Sequence, residues 1–98
     1  MKLIEKMIDR IDDELEGAKK YAEMYIEEKA KGNIARANAY KEMSHDELKH
    51  ASYIHDFATK DVESIQAVFT IPEEADEKWE HAHKRYADCV GRIKHMLE

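Results

Sequence analysis

Apolar residues recur at three- and four-residue intervals along most of the chain, the signature of amphipathic helices and not of strands. From about Leu3 to Lys31, Leu3, Ile4, Met7, Ile8, Ile11, Leu15, Ala18, Tyr21, Ala22, Tyr25 and Ile26 fall on one side of a helical wheel. Lys29 and Lys31 suit the negative end of that helix, and Gly32-Asn33 supplies residues tolerant of positive φ, a natural stop. A second helix is predicted from about Ile34 to Ala58, with Ala39, Tyr40, Met43, Ala51, Ile54, Phe57 and Ala58 as its stripe. A short turn between two long helices makes an antiparallel hairpin. Asp61 to Phe69 is ambiguous: it prolongs the second helix past a kink or forms a short one of its own. Thr70-Ile71-Pro72-Glu73 then reads as a helix start, with Thr70 as cap and Pro72 in the first turn. The third helix runs to the C-terminus on a stripe of Ala75, Trp79, Ala82, Tyr86, Cys89, Val90, Ile93 and Leu97. The expected fold is all-α, a long hairpin plus a C-terminal helix, in one domain spanning residues 1–98.

Composition sharpens this picture. Three glycines and one proline leave long helices uninterrupted, and 39% charged residues suit helices with one apolar stripe each. A net charge of -6, with the bases scattered, speaks against a nucleic-acid partner. No apolar run approaches the roughly 20 residues of a membrane span, and the N-terminal MKLIEKMIDRID mixes charge into its apolar residues, unlike a signal peptide. The lone Cys89 excludes an internal disulfide and fits a reducing cytoplasm, the expected location.

Two acids break the amphipathic pattern. Glu14 lies within the first stripe, among Met7, Ile11, Ala18 and Tyr21. Glu47 lies within the second, and His50 follows almost one turn later on the same side. A desolvated carboxylate is paired, protonated or bound to a cation. Counted from the Gly32-Asn33 turn at about 1.5 Å per residue, the three residues fall within roughly 6 Å of one another along the hairpin. Two carboxylates and an imidazole suit a divalent ion such as iron or manganese.

Glu14 on one helix, followed by Glu47-Leu48-Lys49-His50 on the next, resembles the ferritin-like di-iron half-motif, a Glu and then Glu-x-x-His. Tyr21, seven residues after Glu14, matches the tyrosine that many ferritins place near their metals. Asp13-Glu14-Leu15-Glu16 and Asp46-Glu47-Leu48-Lys49-His50-Ala51 look most like the small encapsulated ferritins, over roughly Ile11 to Phe57. The resemblance implies Glu14, Glu47 and His50 as ligands of a di-iron centre, or of Mn or Zn, with Tyr21 beside it. It implies ferroxidase-type chemistry with dioxygen or peroxide, and a protein shell around the chain. One chain holds half of the ferritin-like ligand set, so a homodimer or higher oligomer would complete a four-helix bundle around the centre. Acids placed like Asp12, Asp13 and Glu16 resemble an entry path for iron, although a solvated face explains them more simply. The third helix departs from that family. It offers a formal Glu-x-x-His at Glu80 to His83, but the wheel turns Glu80 and His81 to solvent and leaves His83 at the stripe's edge.

Two rival readings stand beside this one. The chain is a helical structural or interaction module, phage or mobile-element encoded, whose Glu14, Glu47 and His50 form a buried polar seam that sets register without metal. Alternatively it is a fragment resembling the rubrerythrins, but one cysteine cannot build their four-cysteine iron site.

Overall fold

The computed structural model describes residues 1–98 and contains three α-helices and no strand: α1 (Lys2–Ala30), α2 (Ile34–Val68) and α3 (Glu73–Met96). The stop between α1 and α2 falls where expected. Gly32 takes φ +81°, and no other residue has positive φ apart from it. Its amide and that of Asn33 close onto the Lys29 and Glu28 carbonyls, which satisfies acceptors at the end of α1. α2 and α1 are antiparallel, as the Ser44 hydroxyl shows by donating to the Ala18 carbonyl at 2.7 Å.

The ambiguous stretch resolves as helix. α2 continues without a break through Val68, 35 residues in all, so no separate helix forms at Asp61. At about 1.5 Å per residue this length accounts for the 54 Å long axis of the molecule. The start of α3 differs from the sequence expectation. Pro72 is the N-cap, outside the first turn, and Thr70 makes no capping hydrogen bond. Proline's fixed φ and missing donor suit the boundary itself, and the acids Glu73, Glu74 and Asp76 complement the helix N-terminus.

α3 runs parallel to α1. Lys78 meets Glu5, Arg85 meets Asp12, and the Tyr25 hydroxyl reaches the Glu98 carbonyl, each pair 73 residues apart. All three contacts fix register, and the two exposed ion pairs among them stabilise little. Cohesion comes from a core cluster of 18 buried residues drawn from all three helices, including Ile4, Ile11, Leu15, Trp79, Ile93 and Leu97.

The stripe of α1 holds as read except at its ends, where Leu3 and Ile26 are exposed. That of α3 is buried or half-buried throughout. In α2 the expected stripe holds in part: Ala51 and Ala58 are buried and Tyr40 and Ile54 half-buried, but the buried line runs about one residue away from the rest. Ala39, Met43 and Phe57 face solvent, Met43 at 44% and Phe57 at 63% exposure. The buried seam is Ala37, Ser44, Leu48, Ala51, His55, Ala58 and Val62. One residue of shift turns the helix by about 100°, so α2 carries two seams, one inside the molecule and one open.

Candidate functional site

The open seam of α2 carries the candidate ligands. Tyr40, Met43, Glu47, His50, Ile54 and Phe57 repeat at three and four residues along it, half-buried or exposed. α1 meets this seam with Glu14, Gly17 and Tyr21. Since α3 packs on the other flank, the groove between α1 and α2 lies open along this side.

Glu14, Glu47 and His50 converge there, with one ligand atom from each lying within 4.8 Å of the others. It is the one place in the molecule where three His, Cys, Asp or Glu groups gather so closely. His50 Nδ1 stands 3.5 Å from Glu14 Oε2 and 4.0 Å from Glu47 Oε1. The axial register counted from the turn is thus the register found. The depth is not: the His50 side chain is 52% exposed, and those of Glu14 and Glu47 are 28% and 27% exposed. These groups sit at the rim of the core and not within it.

The electrostatics follow from two acids sharing one groove. A hydrogen bond from the protonated Glu47 carboxyl to Glu14, then desolvation, then the Glu14 charge hold Glu47 above the usual carboxylate range. His50 partly offsets this. A proton is therefore retained between the carboxylates more readily than on an isolated glutamate, and a cation placed there would displace it.

Gly17 completes the site. A Cβ there would lie 2.9 Å from Glu47 Oε2 and 3.4 Å from its Cδ. Glycine inside a helix costs stability relative to alanine, and here its missing side chain is the space that the Glu47 carboxylate occupies. A glycine within the first predicted helix, three residues after the out-of-place Glu14, was the available signal for it.

Tyr21 lies about two turns along α1 from Glu14. Its ring stacks on Tyr40 with centroids 6.3 Å apart and planes 22° apart, and its hydroxyl makes no hydrogen bond to Glu14 or Glu47. Asp12 belongs to the opposite flank, where Arg85 grips its carboxylate at 2.9 and 3.2 Å. Asp13 and Glu16 are exposed, and Glu16 reaches only Lys20, at 4.0 Å. Glu80 and His81 face solvent as expected. His83 does more than touch an edge: its Nδ1 lies 2.8 Å from Nε2 of His55. His55, with 9% exposure, is with Ser44 one of two buried polar residues that sequence reasoning missed. Its place in the 4-3-4-3-4 spacing from Ser44 to Val62 was the signal that could have found it.

Compared with protein-family models, curated proteins and solved structures, the chain matches none. Its reading therefore rests on the residues themselves.

Proposed function

We propose that the chain is a ferritin-like metal protein that binds and oxidises Fe(II) at a centre shared between two copies. The observation that carries this reading is the convergence of Glu14, Glu47 and His50 on an open groove, with Gly17 making room for one carboxylate. The donor set fits. Hard carboxylate oxygens and an imidazole suit Fe(II), with Mn(II) and Zn(II) as competitors. Two carboxylates and one histidine are half of the ferritin-like set, and a two-fold mate would bring the other half. The exposed Met43 and Phe57 flank the ligands on the same seam and supply apolar surface for that contact.

In this reading Fe(II) is the substrate, and its electrons pass to dioxygen or peroxide. The chain contributes placement and charge. Glu14, Glu47 and His50 hold the ion on two rigid helices, so little is reorganised as its charge rises. A cation arriving there displaces any proton that Glu47 holds, and burial of the groove by a second copy would keep water from the centre.

A second reading is favoured by one observation. His50 stands 3.5 Å from Glu14 and 4.0 Å from Glu47 without any metal, so the group also works as a polar seam that sets the register of a structural assembly. Aerobic Fe(II) titration followed by absorbance, run beside light scattering, separates the two. Binding of about one iron per chain, with oxidation lost in Glu47→Ala, supports the shared centre. A wild type that is already dimeric and takes up no iron leaves the polar seam.

A further inference from the structure

A pair of nitrogen donors meets on the opposite flank, in the groove between α2 and α3. His55 Nε2 stands 2.8 Å from His83 Nδ1. At that distance one ring nitrogen carries a hydrogen and the other accepts it through its lone pair. The His55 ring is held by stacking, with Tyr86 4.0 Å away and tilted by 6°, and Trp79 5.9 Å away and tilted by 18°. Its plane, and so the direction of Nε2, is fixed. Burial, and then the neighbouring His83, hold His55 below the usual histidine range, with Asp56 opposing in part. A neutral imidazole is the form that ligates metals.

We propose that His55 Nε2 and His83 Nδ1 form a two-imidazole site for a borderline divalent transition metal of the Zn(II) class. The ion takes the place of the bridging hydrogen. That hydrogen moves to the other nitrogen of its own ring, both rings stay neutral, and no proton is released. Tetrahedral zinc, with bonds of about 2.0–2.1 Å to nitrogen, spaces two such ligands about 3.3 Å apart. The pair must therefore open by about 0.5 Å. His55 is buried and packed against the Tyr86 ring, whereas His83 lies on the exposed side of α3 and can yield. Beside the pair lies a cleft of about 260 Å³, lined by Thr59, Glu63, Glu80 and His83 among others. It admits the ion with its remaining waters, and the exposed Glu63 and Glu80 carboxylates favour a cation at its mouth.

Zinc titration of the uniformly ¹⁵N-labelled chain, read through the histidine ring nitrogens by NMR, tests this directly. The expected result is that His55 Nε2 and His83 Nδ1 shift together and saturate at one zinc per chain. The same is expected in His50→Gln, which separates this site from the Glu14–Glu47–His50 group. His83→Gln changes an exposed residue and should weaken binding at His55 by more than about tenfold. If zinc moves only the resonances of His50 or of the exposed His45, His81 and His95, with His55 unmoved at about tenfold excess, the proposal is wrong. Equal zinc affinity in His83→Gln would overturn it as well, and the wild-type spectrum decides the matter even if that variant folds poorly.

Discussion

Gly17→Ala pits helix stability against the candidate site in a single methyl group. Gly17 lies in the interior of α1, where alanine is better than glycine by up to about 1 kcal/mol. The new Cβ would stand 2.9 Å from Glu47 Oε2, a distance that real Cβ contacts do not tolerate. The atom that must give is the end of a flexible side chain already 27% exposed, so Glu47 swings toward solvent and the backbones stay in place. Moving Glu47 away from Glu14 costs little in the metal-free protein, because the two carboxylates repel when both are ionised. Most of the helix gain should survive, and for a chain of this size about 0.5–1 kcal/mol raises Tm by about 2–8 °C.

The price is paid at the site. A misplaced ligand weakens metal binding at least as much as the loss of an outer-shell partner, about 10–100-fold. Differential scanning calorimetry of the metal-free protein and anaerobic Fe(II) titration of the same sample read the two effects separately. The expected variant is more stable and binds iron more weakly. A Gly17→Ala chain that melts lower would show that the helices, and not Glu47, must move. One that melts higher and binds Fe(II) as tightly as the wild type would show that Glu47 is not a ligand.

Three further outcomes follow from named groups. Folding raises the Glu47 pKa, so its stabilising contribution is full below the unfolded-state value and is lost as pH rises through the raised folded one. Glu47→Gln should therefore stabilise the metal-free protein at about pH 7, and urea denaturation should find the difference vanishing near pH 4, where wild-type Glu47 is protonated in both states. Folding lowers the His55 pKa, so its contribution is intact above the unfolded value near 6.5 and is lost as pH falls through the depressed folded one. His55→Phe keeps a ring in the stack, and melting curves between about pH 7.5 and 5 should fall less steeply for it than for the wild type. Phe57→Lys places a charge on the open seam at a side chain 63% exposed, so circular dichroism should be unchanged while sedimentation velocity shows loss of any self-association; a dimer that survives this change does not use the seam.

How much of this was legible in the sequence depended on whether a residue's local neighbours determine its role. The helices, the Gly32 stop and the axial register of Glu14, Glu47 and His50 follow from periodicity and from counting along a rigid rod, and they stand. The stripe of α3 stands for the same reason: Trp79, Ile93 and Leu97 are the bulky groups on a helix otherwise rich in charge. The continuation of α2 through Asp61 was not legible. No proline or glycine interrupts Asp61 to Phe69, but its apolar residues do not form a stripe with those before it, and only Val62 is buried. Tyr21 was placed by its seven-residue distance from Glu14. That distance puts it on the right face but says nothing of Tyr40, the ring it stacks on.

The misreading of α2 has a physical cause that bears on function. Hydropathy favours the seam of Tyr40, Met43, Ile54 and Phe57, read together with Ala51 and Ala58, over one that runs through Ala37, Ser44, Ala51 and Ala58, because the first is bulkier and more apolar. The interior takes the second. Ala37, Ser44, Ala51 and Ala58 are at most 1% exposed, and they face an α1 whose Ala18 and Ala22 are equally buried. Small residues on both sides let two helices approach closely, and the Ser44 hydroxyl spans the remaining gap to the Ala18 carbonyl at 2.7 Å. Close approach of the backbones is also what brings Glu14 and Glu47 together and what makes a side chain at position 17 intolerable. The alanine seam and the carboxylate pair are thus one arrangement. On the open seam Tyr40 and Ile54 reach the edge of the core, whereas Met43 and Phe57 stay exposed, and leaving them in water costs solubility without return. A second copy covering that seam would bury them together with the carboxylates, and the repulsion between Glu14 and Glu47 would then demand either a bound cation or a retained proton. Under the proposed function the cation meets that demand, so dimerisation and metal binding should strengthen one another.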